Sequence, residues 1–249
     1  MAEFKDHFST GSTHYRQFRP GYPDELFSYL AQRSTGNQLA WDCATGSGQA
    51  AVALARHYDK VIASDASTQQ ITHATTGANV EYRVMPAEQT DLADASVDLI
   101  TVAQALHWFD HDAFFNEVSR VIKPGGILAI WSYQLLNVQQ DIDNIINQLY
   151  FDTLKNYWPP EREQVESGYA DITFPWPRQS TPEFNMRADW TLQQMIGYLG
   201  TWSATRAYRQ DRQHDPLIEL YDRLLPLWGD ARQTKSVRWP LRLHLFQPR

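Results

Sequence analysis

The chain has 249 residues, of which 43% are hydrophobic and 20% charged, and this ordinary globular composition excludes a disordered or collagen-like chain. At about 150 residues per domain, the length allows one domain or one and a half. The formal net charge is −7 and the basic residues form no run, so we expect no nucleic-acid partner. The single cysteine, Cys43, excludes an internal disulfide bond.

The sequence also bears on location and metal content. No apolar stretch approaches the roughly 18 residues that a spanning helix needs, and the first residues lack the apolar core of a signal peptide. The histidines show no spacing typical of metal ligands, so we expect no metal. We expect a soluble cytoplasmic protein, monomeric or homodimeric, with no membrane partner.

Short apolar runs alternate with helical stretches between residues 39 and 133. Ala51, Leu54 and Ala55 have the i, i+3, i+4 spacing of a helix, and the apolar run 97–103 suits a strand that is buried on both faces. This alternation predicts an α/β fold with a parallel sheet and right-handed crossovers. The predicted strands of this part are residues 39–43, 61–64, 80–84, 97–103 and 127–131.

A further helix is predicted before the fifth of these strands. Phe114, Val118 and Val121 share one apolar face, and Asp112 is expected to cap the first turn. Residues 123–126, Lys-Pro-Gly-Gly, are expected to end the helix before the strand begins.

The second half of the chain changes character. Apolar spacing predicts helices over 142–150, 192–199 and 217–225, and five prolines make residues 158–182 irregular. Alternation over 237–245 predicts a strand with one covered face, and another strand is predicted near 183–187. We expect one domain, divided into an N-terminal lid (1–35), a cofactor-binding core (36–133), a helical insertion that caps the site (134–230) and a final strand (231–249).

The segment from Asp42 to Gly48, Asp-Cys-Ala-Thr-Gly-Ser-Gly, lies where the first strand becomes the first helix. Its glycines allow a tight turn and let a ligand approach the main chain, and the following helix presents free N–H groups. Asp65 ends the second strand 19 residues after Gly46, where it suits a bidentate hydrogen bond to two ribose hydroxyls. An ordinary strand–helix turn is the competing interpretation, but the combination favours a nucleoside site.

Two nucleoside cofactors suit this loop. Residues 46–51 satisfy the Gly-x-Gly-x-x-Ala form used for dinucleotides, which leaves an NAD(P)-dependent oxidoreductase as an alternative. Asp42, however, would repel a pyrophosphate and attract an ammonium group. S-adenosylmethionine carries an α-ammonium, a sulfonium and a ribose but no phosphate, so electrostatics favour it. A non-catalytic nucleoside-binding module is the third hypothesis.

Further motifs follow one another in order along the first half of the chain. They are Asp42-x-Ala44-x-Gly46-x-Gly48, Ser64-Asp65-Ala66-Ser67, Ala87-Glu88, Asp98, Gln104-Ala105-x-His107-Trp108-Phe109 and Arg120-Val121-x-Lys123-Pro124-Gly125-Gly126. With these motifs in this order, the chain resembles the class I S-adenosylmethionine-dependent methyltransferases of the small-molecule type, which includes the trans-aconitate methyltransferases. Ala44, where many relatives have glycine, is a departure. The resemblance implies a Rossmann-like fold with a mostly parallel seven-stranded sheet, helices on both faces and a late helical insertion.

The resemblance implies a set of contacts with S-adenosylmethionine. Asp42 and the main chain of Ala44, Thr45 and Gly46 would hold the methionine part, and Asp65 would hold the ribose hydroxyls. These residues come from the ends of the first two strands, which lie at one edge of a parallel sheet. The cofactor would therefore lie across the carboxyl ends of these strands.

Contacts around the adenine and at the methionine end are implied as well. Gln104 and Ala105, after the fourth strand, would contact the methionine end through backbone carbonyls. Tyr15 and Arg19 in the lid would donate to the cofactor carboxylate, and packing for Tyr15 or a surface ion pair for Arg19 are the competing interpretations. The adenine contacts would come from Ala66, Gln70, Ala87 and Glu88.

The acceptor end of the site is less defined by sequence. His107 is a candidate general base without an identifiable carboxylate partner, and Trp108 would form an aromatic wall beside the sulfonium. Both are also candidate substrate-binding residues, as are Trp176 and Trp202 in the aromatic insertion. We predict methyl transfer to a small organic acceptor by in-line displacement. A carboxylate acceptor would need no general base, because the reaction then requires mainly alignment and exclusion of water.

Overall fold

Seven strands form one sheet in the order β3-β2-β1-β4-β5-β7-β6 within the computed structural model, which describes residues 20–248. The neighbouring pairs among β1 to β5 are parallel, and β7 runs antiparallel to both β5 and β6. The strands are β1 Leu39–Cys43, β2 Lys60–Asp65, β3 Val80–Val84, β4 Val97–Ala103, β5 Ile122–Tyr133, β6 Phe184–Trp190 and β7 Lys235–Phe246. This arrangement confirms the predicted mostly parallel seven-stranded sheet.

Nine α-helices precede or connect these strands within residues 20–248. They are α1 Asp24–Arg33, α2 Gln49–Leu54, α3 Thr68–Thr72, α4 His111–Val121, α5 Gln140–Gln148, α6 Arg162–Glu166, α7 Leu192–Gly200, α8 Ser203–Arg212 and α9 Pro216–Trp228. A 3₁₀ turn, Leu106–Trp108, follows β4, and a π turn, Leu149–Thr153, follows α5. In this part of the chain no helix combines the length and the apolarity that crossing a membrane requires.

Alternation along the central strands divides the apolar side chains between two cores, one on each face of the sheet. Leu99, Ala129 and Trp131 pack in the first core together with α1, α5, α7 and α9. Ile100 and Leu128, on neighbouring positions of the same strands, pack in the second core with α4. The late segment of the chain therefore completes the first core rather than forming a separate body.

Asp98 links the amino-terminal ends of the strands, opposite the predicted ligand site. Its carboxylate is buried and accepts hydrogen bonds from the backbone N–H groups of Gln38 and Leu39 at 3.0 and 2.9 Å. Lys123 donates to its other oxygen at 2.9 Å. Since these contacts join the starts of β1 and β5, this member of the sequence motif stabilises the sheet and lies away from the ligand edge.

Two details around α4 differ from the prediction. Asp110, not Asp112, caps the helix, and its carboxylate accepts from the backbone N–H of Ala113 at 3.2 Å. The Lys-Pro-Gly-Gly segment lies inside β5 as a break in register, because Val97 pairs with Ile122 whereas Leu99 pairs with Ile127. The strand therefore starts directly at the end of the helix, five residues earlier than predicted.

In the second half, the predicted helices over 192–199 and 217–225 and both predicted strands are present with slightly longer bounds. The helix predicted over 142–150 ends at Gln148 and continues as the π turn. Helix α8 was not predicted from the sequence; it carries four charged residues and buries only Ala204 and Thr205. A helix with so narrow a buried face has no clear apolar periodicity.

Candidate active site

The order of the strands reverses between β1 and β4, and open α/β sheets bind their ligands beside the carboxyl ends of the strands at such a switch point. The loop after β1 and the loop after β4 border this crevice, and the end of β2 lies next to β1. The predicted site residues Ala44–Gly46, Asp65 and Gln104–His107 all occupy these three strand ends. The structure therefore brings them to one edge of the sheet.

The glycine loop after β1 turns through left-handed backbone conformations. Ala44, Gly46 and Gly48 have φ values of 52°, 54° and 79°. A Cβ on Gly48 would overlap the hydroxyl of Tyr82, whereas a Cβ on Gly46 would meet nothing within 4 Å. A side chain at position 48 would therefore have to displace the ring of Tyr82, whereas Gly46 leaves open space next to the main chain.

Asp65 links the end of β2 to this loop. One oxygen of its carboxylate accepts from the backbone N–H of Gly46 at 3.0 Å, and the other accepts from the backbone N–H of Ser67 at 2.9 Å. The backbone N–H of Thr45 donates to the carbonyl of Ser64 at 2.8 Å. These contacts hold the carboxylate at a fixed position beside the glycine loop, as the spacing in the sequence predicts.

Asp42 has contacts other than those the sequence suggests. Its side chain is 0% exposed, and its two oxygens accept from the hydroxyls of Thr45 at 2.5 Å and Thr101 at 2.7 Å. Burial raises its pKa to about 6 despite these hydrogen bonds. The carboxylate thus orients the loop from inside the protein, and its direct contact with an ammonium group stays a prediction.

Thr101 is a part of this arrangement that sequence reasoning missed. The only available signal was a hydroxyl residue in the largely apolar strand β4, and it did not indicate the partner. Its fully buried hydroxyl joins the ends of β1 and β4 through Asp42, across the switch point of the sheet. The two borders of the crevice are therefore hydrogen-bonded to each other.

The predicted adenine residues lie in the segments that follow β2 and β3. Ala66 is exposed and Ala87 is buried. Gln70, in α3, donates its backbone N–H to the hydroxyl of Ser67 at 3.3 Å. Glu88 accepts from the backbone N–H of Asp110 at 3.0 Å and so joins the segment after β3 to the start of α4. Tyr15 and Arg19 lie outside the described residues.

Gln104 offers a test of whether a polar ligand fits the crevice. Its φ is 60°, and its backbone N–H donates to the carbonyl of Trp131 at 2.9 Å. The side-chain Nε2 is buried and has no hydrogen-bond acceptor among residues 20–248. Leaving a buried donor without an acceptor costs free energy. An oxygen of a bound ligand would supply the missing acceptor. Together with the open main chain at Gly46 and the Asp65 carboxylate, this fits a nucleoside that carries an amino-acid tail.

His107 follows on the 3₁₀ turn after β4. Its Nδ1 lies 3.4 Å from the hydroxyl of Tyr169, and its ring lies 4.6 Å from that of Trp108. Burial, followed by the positive charges of Arg162 and His111, lowers the pKa of His107 to about 4. The imidazole is therefore neutral near pH 7, and among the hydrogen bonds of residues 20–248 none joins it to a carboxylate.

The two tryptophans predicted to bind the acceptor lie on different faces of the sheet. Trp202 is 5% exposed and packs at 5.4 Å from the ring of Tyr150 in the first core. Trp176 packs at 5.5 Å from Phe115 beside the second core. The structure does not bring Trp176 and Trp202 together in one pocket. Within residues 20–248, no group of three His, Cys, Asp or Glu residues has the geometry of a metal site.

Comparisons with known proteins agree with this geometry. Residues 41–130 match the model of the methyltransferase domain family. A candidate methyltransferase of Dictyostelium discoideum is 38% identical over 238 residues, which cover 92% of this chain and 90% of that protein. A candidate S-adenosylmethionine-dependent methyltransferase of Saccharomyces cerevisiae is 25% identical, with 83% and 84% coverage. The structure of a candidate type II methyltransferase from Anaeromyxobacter dehalogenans superimposes with a TM-score of 0.89 at 40% identity, covering 93% of this chain and 98% of that one.

These relatives span nearly the whole chain, not only the glycine loop, and they do not favour the oxidoreductase alternative. Their names specify no acceptor, so the narrower resemblance to trans-aconitate methyltransferases stays a prediction. The family match, the seven-stranded sheet and the nucleoside-compatible crevice agree on one cofactor, S-adenosylmethionine. The chain belongs to the class I S-adenosylmethionine-dependent methyltransferases.

Proposed function

We propose that the protein transfers the methyl group of S-adenosylmethionine to a small organic acceptor bound at the carboxyl ends of β1 and β4. The observation that carries the proposal is the hydrogen-bonded assembly of Gly46, Asp65 and Asp42 on one side of the switch point with Thr101 on the other. On the side of Thr101 also lies the side-chain Nε2 of Gln104, which has no acceptor among residues 20–248. Such an assembly offers a polar, preorganised crevice where the fold binds its ligands.

Each predicted cofactor residue has a role in this proposal. Asp65 accepts the ribose hydroxyls, and the main chain of Ala44, Thr45 and Gly46 holds the methionine part. Asp42 acts through Thr45, because its carboxylate is 0% exposed and hydrogen-bonded inside the protein, whereas Asp65 keeps 9% of its surface exposed. The remaining proposed contacts are Ala66, Gln70, Ala87 and Glu88 around the adenine, Gln104 and Ala105 at the methionine end, and Tyr15 and Arg19 at its carboxylate.

When bound, S-adenosylmethionine supplies a sulfonium-activated methyl group that a nucleophile displaces in line. The protein residues align the acceptor and exclude water, and these are the main requirements for displacement at an already electrophilic carbon. The indole of Trp108 offers a face that attracts a cation. His107 is a poor proton acceptor, since burial lowers its pKa to about 4. We therefore favour acceptors that need no proton removed.

Calorimetry with S-adenosylhomocysteine, the demethylated product, tests the cofactor assignment. Asp65→Asn should weaken binding about tenfold or more, because a hydrogen bond to a charged group contributes about 1.5–3 kcal/mol. Asp222→Asn makes the same change on the exposed surface of α9 and should bind like the wild type. Equal binding by the two variants, or no binding by the wild type, would contradict the proposal.

Transfer itself is tested by release of S-adenosylhomocysteine from a panel of small acceptors. The panel contains carboxylic acids, phenols, thiols and amines, each offered with saturating S-adenosylmethionine. Release with at least one of these acceptors, reduced in Asp65→Asn, is the expected result. Cofactor binding without release on any acceptor would instead support the non-catalytic module.

A further inference from the structure

One cation lies next to the loop after β4 and does not belong to the cofactor assembly. Arg162 opens α6, in the irregular proline-rich part of the chain, and its side chain is 27% exposed. Sequence reasoning gave it no role, because nothing near it in the sequence indicates that it approaches His107. Its direct contacts are with Tyr150, Trp158 and Glu166, which lie 12, 4 and 4 residues away, whereas His107 lies 55 residues away.

Aromatic rings hold the guanidinium of Arg162 in place. Its Nε donates to the hydroxyl of Tyr150 at 3.0 Å, and its central carbon lies 5.2 Å from the ring centroid of Trp158 and 5.8 Å from that of Tyr150. The Tyr150 and Trp158 rings are themselves 4.5 Å apart, and Trp202 supports both from the first core. The cation–π contacts and the hydrogen bond fix the plane of the guanidinium, whose N–H donors form a planar fork.

The two terminal nitrogens of Arg162 have no hydrogen-bond acceptor within residues 20–248. The nearest carboxylate is Glu166, with one oxygen 4.0 Å from Nε, and the same oxygen also accepts from the hydroxyl of Tyr150. Glu166 thus compensates part of the positive charge but leaves the outer edge of the fork unused. Two parallel N–H donors in one plane match the two oxygens of a carboxylate.

The fork is also next to the reacting edge of the sheet. Helix α6, which Arg162 opens, contacts the 3₁₀ turn that carries His107, and the hydroxyl of Tyr169, just after this helix, lies 3.4 Å from Nδ1 of His107. After burial, the positive charge of Arg162 is the next cause that lowers the pKa of His107. Tyr150 belongs to the first core and Tyr169 to the second, so Arg162 lies where the two layers meet beyond the end of β4. An acceptor placed there would be adjacent to the loop that borders the cofactor crevice.

We propose that Arg162 determines acceptor specificity by binding a carboxylate of the methyl acceptor through its outer edge. This inference rests on the proposed methyl transfer and names the class of its substrate, a small carboxylic acid. A singly charged carboxylate suits one guanidinium that Glu166 already partly compensates, whereas a phosphate dianion would call for more positive charge. His107 and Trp108 then flank the same acceptor on the side of the sheet.

Binding by calorimetry, with the protein saturated by S-adenosylhomocysteine, tests the inference. The probes are acetate, succinate, tricarballylate and benzoate, each compared with its primary amide, and inorganic phosphate as a rival anion. We expect at least one acid to bind about tenfold or more tightly than its amide, because the contact is charge-assisted. Arg162→Gln should remove this preference, and Arg162→Lys should keep part of it, since lysine retains the charge but not the fork.

Arg187→Gln on the exposed face of β6 removes the same charge elsewhere and should keep the preference of the wild type. A preference that persists in Arg162→Gln, acids that bind no better than their amides, or phosphate binding more tightly than every acid would each overturn the inference. Titration of S-adenosylhomocysteine into the same variants separates the two proposals. Unchanged binding there with a lost acid preference supports both, whereas absent binding in the wild type overturns both.

Discussion

The cofactor side and the acceptor side of the crevice are built from different kinds of contact. Most contacts of the cofactor side join backbone groups and short polar side chains that are near one another in sequence, such as Thr45 with Asp42, three residues apart, and Gly46 with Asp65, nineteen apart. Thr101 and Asp42, 59 residues apart, are an exception. The acceptor side depends on rings and one guanidinium from distant segments, such as His107 and Tyr169, 62 residues apart. Local sequence therefore specifies most of the first side, and tertiary packing specifies the second.

The largest expected effect separates the two tryptophans that the sequence assigned to one pocket. Trp202→Ala should lower the free energy of unfolding by about 3–5 kcal/mol, because it opens a cavity beneath Tyr150 and Trp158. Trp176→Ala should cost less, since that ring is only partly buried. Denaturant unfolding of both variants measures the difference. Equal losses of unfolding free energy would mean that the two rings are packed equally well, which would contradict the difference in burial between them.

The buried acid of the cofactor side gives the next largest effect. The pKa of Asp42 is raised by burial from 3.8 to about 6, so the folded state holds its proton more tightly than the unfolded chain does. The contribution of this proton to the free energy of unfolding is fully present below pH 4 and is lost as the pH rises through about 6. At about 1.4 kcal/mol per pKa unit the loss is about 3 kcal/mol.

Asp42→Asn removes this titration while keeping the shape of the side chain. The unfolding free energy of the variant should rise relative to the wild type between pH 4 and pH 7, as followed by urea unfolding at several pH values. The same variant also tests the role of the residue. A modest loss of S-adenosylhomocysteine affinity would mean that Asp42 orients the loop through Thr45 and Thr101. Complete loss of affinity would instead support the direct contact with the cofactor that the sequence suggested.

The glycine loop allows a matched comparison within the cofactor side. Gly46→Ala and Gly48→Ala both place a Cβ at positive φ, which costs about 1–2 kcal/mol. Gly48→Ala should cost about 1–3 kcal/mol more, because the new Cβ also overlaps the hydroxyl of Tyr82. Adding Tyr82→Phe should recover part of this extra cost. Thermal unfolding measures all three, and an equal cost for the two glycines would contradict the assigned packing role of Gly48.

Affinity should follow the opposite order in these two variants. Gly46 faces open space beside the main chain, so a methyl group there would occupy volume that the cofactor needs. We expect Gly46→Ala to lose more S-adenosylhomocysteine affinity per unit of lost stability than Gly48→Ala does. Calorimetry below the unfolding temperature of both variants makes the comparison.

The same contrast explains what the sequence could predict. The sheet, the glycine loop and the strand-ending Asp65 follow from periodicity and spacing, because each depends on neighbouring residues. Thr101 could not be found in this way, since its partner Asp42 lies 59 residues away. The same holds for Arg162, whose charge lowers the pKa of His107, 55 residues away. Helix α8 was missed for a related reason, because its placement depends on a few buried contacts and not on an apolar stripe.

The smallest effect is local to the acceptor side and tests its geometry directly. Removing the charge in Arg162→Gln should raise the pKa of His107 from about 4, since the nearby guanidinium disfavours the protonated ring. The pKa should stay below 6.5, because burial is the larger cause and is unchanged. Nuclear magnetic resonance of the imidazole carbons follows this titration, with Arg187→Gln as the control that leaves the value in place. A pKa that is the same in Arg162→Gln and the wild type would mean that the guanidinium lies too far from His107 to share an acceptor with it.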